Sequence, residues 1–307
     1  MKFLILLMLS LSLHAERVDL FTHFANDPYV SFAQLEKAGI EVCLADLNNY
    51  AREASFVEPK KAIFFHPFSI PIHFARIPKE KMILFLWEPV DIPLWYFDRF
   101  SRVYTWNDAL VDGVKFFKFY YPYRQPMIAN LVPFEQKKLC VMINSNLTFE
   151  RCKMLDFFEE KPIGDLDFFG VRKAKAANYK SYRGPLLGEH SGNEKIGTLK
   201  NYRFCICFEN CHHMPGYVTE KIFGCFAAGC IPIYWGAPNI ENYISKDCFI
   251  DYRDFSNKEE LYQFIKTMPE LVYDGYIARI QDYLNSASSY LFSKEDLEGL
   301  LYNAVNN

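Results

Sequence analysis

The sequence predicts an α/β protein of two domains, each built on a parallel sheet, with a cleft between them. Three observations carry that prediction. Short continuous apolar runs alternate with helical or loop segments along the chain, the pattern of strands buried on both faces by flanking helices. The stretch 201–242, NYRFCICFENCHHMPGYVTEKIFGCFAAGCIPIYWGAPNIEN, reads as strand, polar loop, helix, strand. That is a βαβ unit, whose crossover makes its two strands parallel neighbours. A Pro-rich aromatic stretch from Tyr120 to Pro133 interrupts the alternation, and a length of 307 residues favours two domains.

Residues 1–15 read as a leader. Lys2 precedes an apolar run from Phe3 to Leu13, with Ala15 ahead of Glu16 and Arg17. The run is short for a bilayer span and fits the hydrophobic region of a secretory signal; an N-terminal core strand is the other reading. The leader predicts an exported or membrane-associated chain, with membrane association on the cytoplasmic side as the alternative.

The first domain, 16–135, opens with a strand from Val18 to Phe24. Ser31, with Gln34 three residues on, forms a capping box for a helix that Gly39 closes. Strands follow at Ile40–Leu44, Ala62–Phe65, Met82–Trp87 and Val103–Trp106, the run from Met82 ending at Glu88-Pro89. The second domain, 136–307, starts with a strand from Leu139 to Ile143, a loop Asn144-Ser145-Asn146, and a helix capped by Thr148 with Arg151 in its first turn. Leu166–Phe169 is the next strand, and the polar segment Arg172–Lys200 reads as a long loop over the cleft. The βαβ unit then places strands at Tyr202–Phe208 and Cys230–Trp235, and a helix from Thr219 to the stop signal Gly229. Ser256 with Glu259 caps a helix carrying Leu261, Phe264, Ile265 and Met268 on one face. Ser293 starts a last amphipathic helix through Leu297, Leu300 and Leu301.

A net charge of −3 argues against a nucleic-acid surface, which needs a basic face. Nine scattered cysteines do not read as a disulfide framework. Cys205, Cys207, Cys211, His212 and His213 resemble metal ligands at first sight. However, Cys205 and Cys207, two apart on a strand, point the same way, which is a packing pattern, and no second pair follows at zinc spacing. His66, His73 and the pair His212-His213 read as surface or packing histidines.

In parallel sheets ligands bind beyond the carboxyl ends of the strands. Glu209, Asn210, Tyr217, Glu220 and Lys221 fall at that edge. A helix start favours an anion, Lys221 adds a full charge for a phosphate, and Glu220 can accept hydrogen bonds from ribose hydroxyls. An ordinary capped helix, with Thr219 as N-cap and Lys221 solvated, is the equally weighted alternative. Glu88, at the end of a buried strand beside Trp87 and Pro89, is placed to have a raised pKa and to act as a base, or is a surface acid ending a strand. Arg151 faces the cleft and can hold a diphosphate, or is an exposed helical arginine.

The pieces FEN, GYVTEKIF and AAGCIPIYWGAPN, in this order and spacing, resemble the donor-binding signature of the α1,3-fucosyltransferases, glycosyltransferase family 10. About forty residues match densely and weaker similarity runs over most of the chain. The resemblance implies a GT-B-like architecture of two Rossmann-type domains, the C-terminal one holding a sugar nucleotide and the N-terminal one supplying acceptor contacts and the base. It implies that Tyr217 lines the donor site, Glu220 contacts the ribose and Lys221 neutralises the diphosphate, with Glu209 and Asn210 supporting them. FLWEPVDIP is similar to the family segment that carries the general base, here Glu88. VMINSNLTFERC is similar to the segment whose arginine, here Arg151, contacts the diphosphate, and Ser145 and Asn146 add donors. Asp165-Leu166-Asp167 has the form of the metal-binding DxD of other glycosyltransferases but leads into a strand edge, where acids are common. The sequon Asn146-Leu147-Thr148 falls in the donor loop, where a glycan would block the cleft.

The expectation is therefore an inverting transfer of L-fucose from GDP-fucose to a glycan acceptor, α1,3 to N-acetylglucosamine in lactosamine-type glycans, with no metal or other cofactor. The remaining readings are the same fold with another sugar nucleotide, a non-catalytic glycan-binding relative, and a secreted effector that modifies protein. The segments Ile70–Arg76 and Val90–Tyr96 are expected to shape the acceptor pocket.

Overall fold

The structure, a computed structural model, describes residues 16–21, 30–45, 58–65, 77–89, 92–170, 178–186 and 192–307. The first sheet contains β1 (Arg17–Phe21), β2 (Glu41–Leu44), β3 (Lys61–Phe64), β4 (Met82–Leu86), β5 (Arg102–Thr105) and β6 (Phe116–Lys118), in the order β2-β1-β3-β4-β5-β6. The second contains β7 (Lys138–Ile143), β8 (Leu166–Phe169), β9 (Tyr182–Gly184), β10 (Tyr202–Phe208), β11 (Ile231–Trp235) and β12 (Ile250–Asp251), in the order β12-β11-β10-β7-β8-β9. Among the described residues every pairing is parallel.

Burial explains the strand sequences. β4 reads MILFL and is buried at every position, as a central parallel strand must be. Aromatic rings stack across the first sheet: Phe21 on Phe64 at 4.5 Å and Phe85 on Tyr104 at 4.6 Å. In β10, Cys205 and Cys207 do share a face, packing with Cys225 and Ile222 in one cluster, while Phe204, Ile206 and Phe208 enter another. The expected strands are present, displaced by a residue or so at their ends; of the first, 22–24 lie outside the described residues.

The helices are α1 (Ala33–Lys37), α2 (Phe149–Phe158), α3 (Asn193–Leu199), α4 (Glu220–Ala227), α5 (Lys258–Lys266), α6 (Glu270–Leu284), α7 (Ala287–Tyr290) and α8 (Lys294–Asn306). The capping box expected at Ser31 does not form. Phe32 holds the N-cap position of α1 without a side-chain bond. The Ser31 hydroxyl and the Gln34 N–H both donate to Glu298 Oε1 of α8, each at 2.9 Å. The cap thus comes from the far end of the chain. Thr148 sits at the N-cap of α2 but makes no capping bond. The N-cap of α5 is Asn257, not Ser256: its Oδ1 accepts from the Glu260 N–H at 2.9 Å. Ser293 caps α8 as expected.

The segment 172–200 is not one long loop. It contains β9, which extends the second sheet, and α3, which packs against α4. β6, α6 and β12 also went unforeseen: β6 and β12 are only three and two residues long, and α6 follows a proline with no Ser, Thr, Asn or Asp cap. The leader, His66, His73, residues 70–76 and residues 90–91 lie outside the described residues. No described helix is long and apolar enough to cross a membrane.

One apolar cluster runs through both domains. It joins Phe85, Trp87, Trp106, Phe119 and Tyr121 of the first to Tyr217, Val218, Ile222 and Phe223 of the second. The cleft therefore has a closed, packed floor. The last helix returns to the first domain, where Lys60 Nζ also donates to Asn306 Oδ1 at 2.8 Å.

Candidate active site

In the second sheet the strand order reverses between β7 and β10, since the chain adds β8 and β9 on one side and β11 and β12 on the other. At such a switch point the two departing loops part and open a crevice. These are the loops that begin at Asn144 and Glu209.

Arg151 ties the two loops together. It is 1% exposed, and its guanidinium donates to the Asn146 carbonyl at 2.8 Å, to Asn210 Oδ1 at 3.1 Å and to the Phe208 carbonyl. It is neither an exposed helical arginine nor a free side chain in the cleft, but a buried cation behind the crevice wall. Burial draws its pKa down, and Glu209 opposes that shift. Asn146 is exposed and contributes its carbonyl to this contact; Ser145 beside it is half-buried.

The start of α4 holds the densest charge. Thr219 is its N-cap, as the sequence predicts, with Oγ1 accepting from the Lys221 N–H. Thr219 in turn donates its N–H and its hydroxyl to Glu209 at 3.0 and 2.8 Å. Lys221 Nζ lies 3.0 Å from Glu209 Oε2 and 3.4 Å from Glu220 Oε1. Burial works to lower the Lys221 pKa, but Glu209 and Glu220 outweigh it and hold the ammonium above its ordinary value. Burial likewise works to raise Glu220, yet Lys221 and Lys195 bring its carboxyl down to about 2. Both side chains keep some exposure, 14% for Lys221 and 21% for Glu220.

Glu88, in the other domain, lies within electrostatic range of this cluster. It is half-buried at the end of β4, and its carboxyl is pushed up by burial and by the Glu220 carboxylate, with Lys221 acting against them. The donor-side charges therefore reach Glu88 across the gap. Its backbone is held by Tyr121, whose hydroxyl donates to the Trp87 carbonyl. The Tyr121 ring also meets Tyr217, which packs 4.7 Å from Trp106. Tyr217 is thus buried between the domains, and burial drives its phenol pKa far up.

Sequence reasoning missed Lys195 on α3, Tyr121 and Trp106. Lys195 stood in a segment read as loop, and its buried side chain runs beside α4, with Cε 3.6 Å from where a Cβ on Gly224 would sit. The discounted signals have plain partners. Asp165 accepts from Tyr262 and Lys266, both at 2.6 Å, and Asp167 from Lys138, Tyr202 and Arg183 at 2.8, 2.8 and 2.6 Å. His212 stacks on Trp235 at 4.0 Å.

Two parallel-sheet domains facing across a cleft, with a charged helix start at the second sheet's switch point, define the GT-B glycosyltransferase fold. Solved structures agree. An alpha1,3-fucosyltransferase with GDP superposes over 95% of this chain and 90% of its own, with a TM-score of 0.57 at 15% identity. A DNA-modifying beta-glucosyltransferase does so over 95% and 100%, with a TM-score of 0.54 at 11% identity. Residues 134–285 match the family model described as glycosyltransferase family 10 (fucosyltransferase) C-term. Through this domain the chain belongs to glycosyltransferase family 10. The alpha-(1,3)-fucosyltransferase FucT of Helicobacter pylori is 41% identical over 68 residues, 22% of this chain and 14% of that protein. Alpha-(1,3)-fucosyltransferase 7 of Mus musculus is 39% identical over 86 residues, 27% of this chain and 22% of its own. The alignments cover under a quarter of these relatives' length.

Proposed function

We propose that the protein is an inverting glycosyltransferase that moves L-fucose from GDP-fucose to a hydroxyl of a glycan acceptor, α1,3 to N-acetylglucosamine in lactosamine-type glycans. The observation that carries this reading is the Lys221 cation, held by Glu209 and Glu220 at the start of α4, with the raised-pKa Glu88 within electrostatic reach across the gap. Family membership and the GDP and GDP-fucose complexes of the structurally similar alpha1,3-fucosyltransferase support the choice of donor.

In this mechanism Glu88 takes the proton of the acceptor hydroxyl as its oxygen attacks the anomeric carbon. The bond from that carbon to the β-phosphate oxygen breaks, and GDP departs with the electron pair. Lys221 stabilises the charge that develops on the diphosphate, and pre-placed cations of this kind contribute several kcal/mol. Arg151 holds both switch-point loops in shape and places a second positive charge behind them. Glu220 accepts hydrogen bonds from the ribose hydroxyls. Cations at the leaving group take the part a divalent metal plays elsewhere, and the acids of the DLD segment are already engaged with lysine and arginine. We therefore propose metal-independent turnover, and an export or membrane-attachment role for the apolar leader that fractionation of tagged chain would check.

Incubation with GDP-fucose and an array of N-acetyllactosamine-type acceptors, read by mass spectrometry, tests the function. A mass gain of one deoxyhexose, with inversion at the anomeric carbon read by NMR of the product, supports it. Transfer from UDP-sugars alone, or activity abolished by EDTA and restored by manganese, overturns the donor or the metal-free reading.

A further inference from the structure

We propose that Asp108 is a positioning residue: it locks the donor loop of the second domain onto the first domain and so sets the gap across which Glu88 faces the start of α4. The inference rests on the fucosyl-transfer reading above.

Asp108 stands three residues past the end of β5, at the carboxyl edge of the first sheet. Its main-chain N–H donates to the Pro215 carbonyl at 3.1 Å. Its Oδ2 accepts from Asn239 Nδ2 at 2.7 Å and from the Tyr243 hydroxyl, and its Oδ1 accepts from Lys118 Nζ at 2.7 Å. Lys118 Nζ also donates to the Trp106 carbonyl at 2.5 Å and to the Tyr243 hydroxyl at 3.2 Å, and lies 4.9 Å from the Tyr243 ring. Asn239 Oδ1 closes the circuit by accepting the Gly216 N–H at 2.8 Å. Four of these bonds cross between domains: Asp108 to Pro215, Asn239 and Tyr243, and Lys118 to Tyr243.

The loop so held is the one that leads into α4. Gly216 has φ +84°, and a Cβ there would sit 2.3 Å from the Trp106 carbonyl oxygen and 2.6 Å from Lys118 Nζ. Only glycine allows this approach. The next residue, Tyr217, packs on Trp106 and on Tyr121, and Tyr121 holds the Trp87 carbonyl one residue before Glu88. The base and the donor loop thus hang from the same few side chains. A partly buried ionic cluster contributes little net stability compared with apolar packing, but it penalises other arrangements of its partners. That property suits a register more than an adhesive.

The test uses the full chain with Asp108→Asn, Asp108→Ala and Tyr243→Phe. The readouts are transfer kcat, GDP affinity by calorimetry, thermal midpoint, and amide hydrogen exchange in 211–218. An error of about 1 Å in reacting geometry can cost on the order of a hundredfold. The expected result for Asp108→Ala is a kcat at least tenfold lower (~10×) with GDP affinity within about threefold, and exchange at Gly216 faster by ~10-fold or more. Asp108→Asn, which keeps one acceptor, should recover part of the loss, and adding Tyr243→Phe to it should cost little more, since the two act as one unit. A lowered thermal midpoint with unchanged kcat per folded molecule would mean plain packing and overturn the proposal, as would unchanged exchange in the loop. If the Asp108 variants do not fold, Tyr243→Phe, which removes only a hydroxyl, must show the same split. Should the parent chain fail to transfer fucose, the functional reading falls, while the exchange measurement still decides whether Asp108 locks the loop.

Discussion

Lys221 Nζ lies 3.0 Å from Glu209 Oε2, so a full cation at the positive end of a helix is held by an acid from the end of the neighbouring strand. A lysine in a first helical turn opposes the helix dipole. Glu209, with no side-chain exposure, and Glu220 offset that cost and hold the ammonium at the helix start.

Removing this cation should weaken the nucleotide site directly. Hydrogen bonds to charged groups contribute about 1.5–3 kcal/mol, so Lys221→Ala should raise the Kd for GDP roughly ten- to a hundredfold. Calorimetry decides, and an unchanged Kd removes Lys221 from the diphosphate site. The thermal midpoint should fall as well, because Glu209 is left buried without its counter-charge.

Glu88→Gln should lower kcat by ~10²–10⁴-fold while GDP affinity stays near the parent's. The acidic limb of kcat/KM should lie above the ordinary glutamate range, because burial and then the Glu220 carboxylate raise the Glu88 pKa. Glu220→Gln removes one of those causes, so its limb should move to lower pH. A limb that stays in place, or a Glu88→Gln enzyme at parental turnover, assigns the base elsewhere.

Acid should loosen the donor site through Glu220. Its carboxyl titrates near 2 in the folded protein against an ordinary 4.5. A depressed folded pKa contributes stability above the unfolded value, and that contribution is lost as pH falls from about 4.5 toward 2. The shift corresponds to roughly 3 kcal/mol at most. Urea unfolding at pH 6 and pH 3 should show a larger loss for the parent than for Glu220→Gln; equal losses would contradict the pairing.

Gly236→Ala tests the packing behind Glu209. A Cβ at position 236 would lie 2.3 Å from the Tyr234 hydroxyl oxygen and 2.6 Å from Glu209 Cγ, and both side chains are buried. Overpacking of this kind costs about 1–3 kcal/mol. The thermal midpoint should drop and GDP affinity with it, since the Glu209 side chain must move to make room.

The βαβ unit was legible almost residue by residue. β10 spans the run expected for it, Thr219 caps α4, and β11 ends at Trp235. Each of those signals is local: a continuous apolar run, a hydroxyl before a helix, an apolar stretch bounded by glycine. Ser31 shows where local signals fail, because the acid that caps α1 stands 264 residues after Gln34. β9 and α3 were hidden in a polar segment whose helical residues become meaningful only when they meet α4.

Residue types and their spacing were enough to assign two parallel sheets, the cap of α4, and the gathering of Glu209, Asn210, Tyr217, Glu220 and Lys221 at one strand edge, since these follow from periodicity and from groups a few residues apart. Folding in three dimensions settled the rest: that Arg151 turns inward to two carbonyls, that Lys195 comes to lie beside α4, and that Asp108 grips a loop more than a hundred residues away. The first two depend on how the loops and helices of the second domain pack around its sheet, and the third on how the two sheets dock, none of which the periodicity of a short stretch of chain encodes.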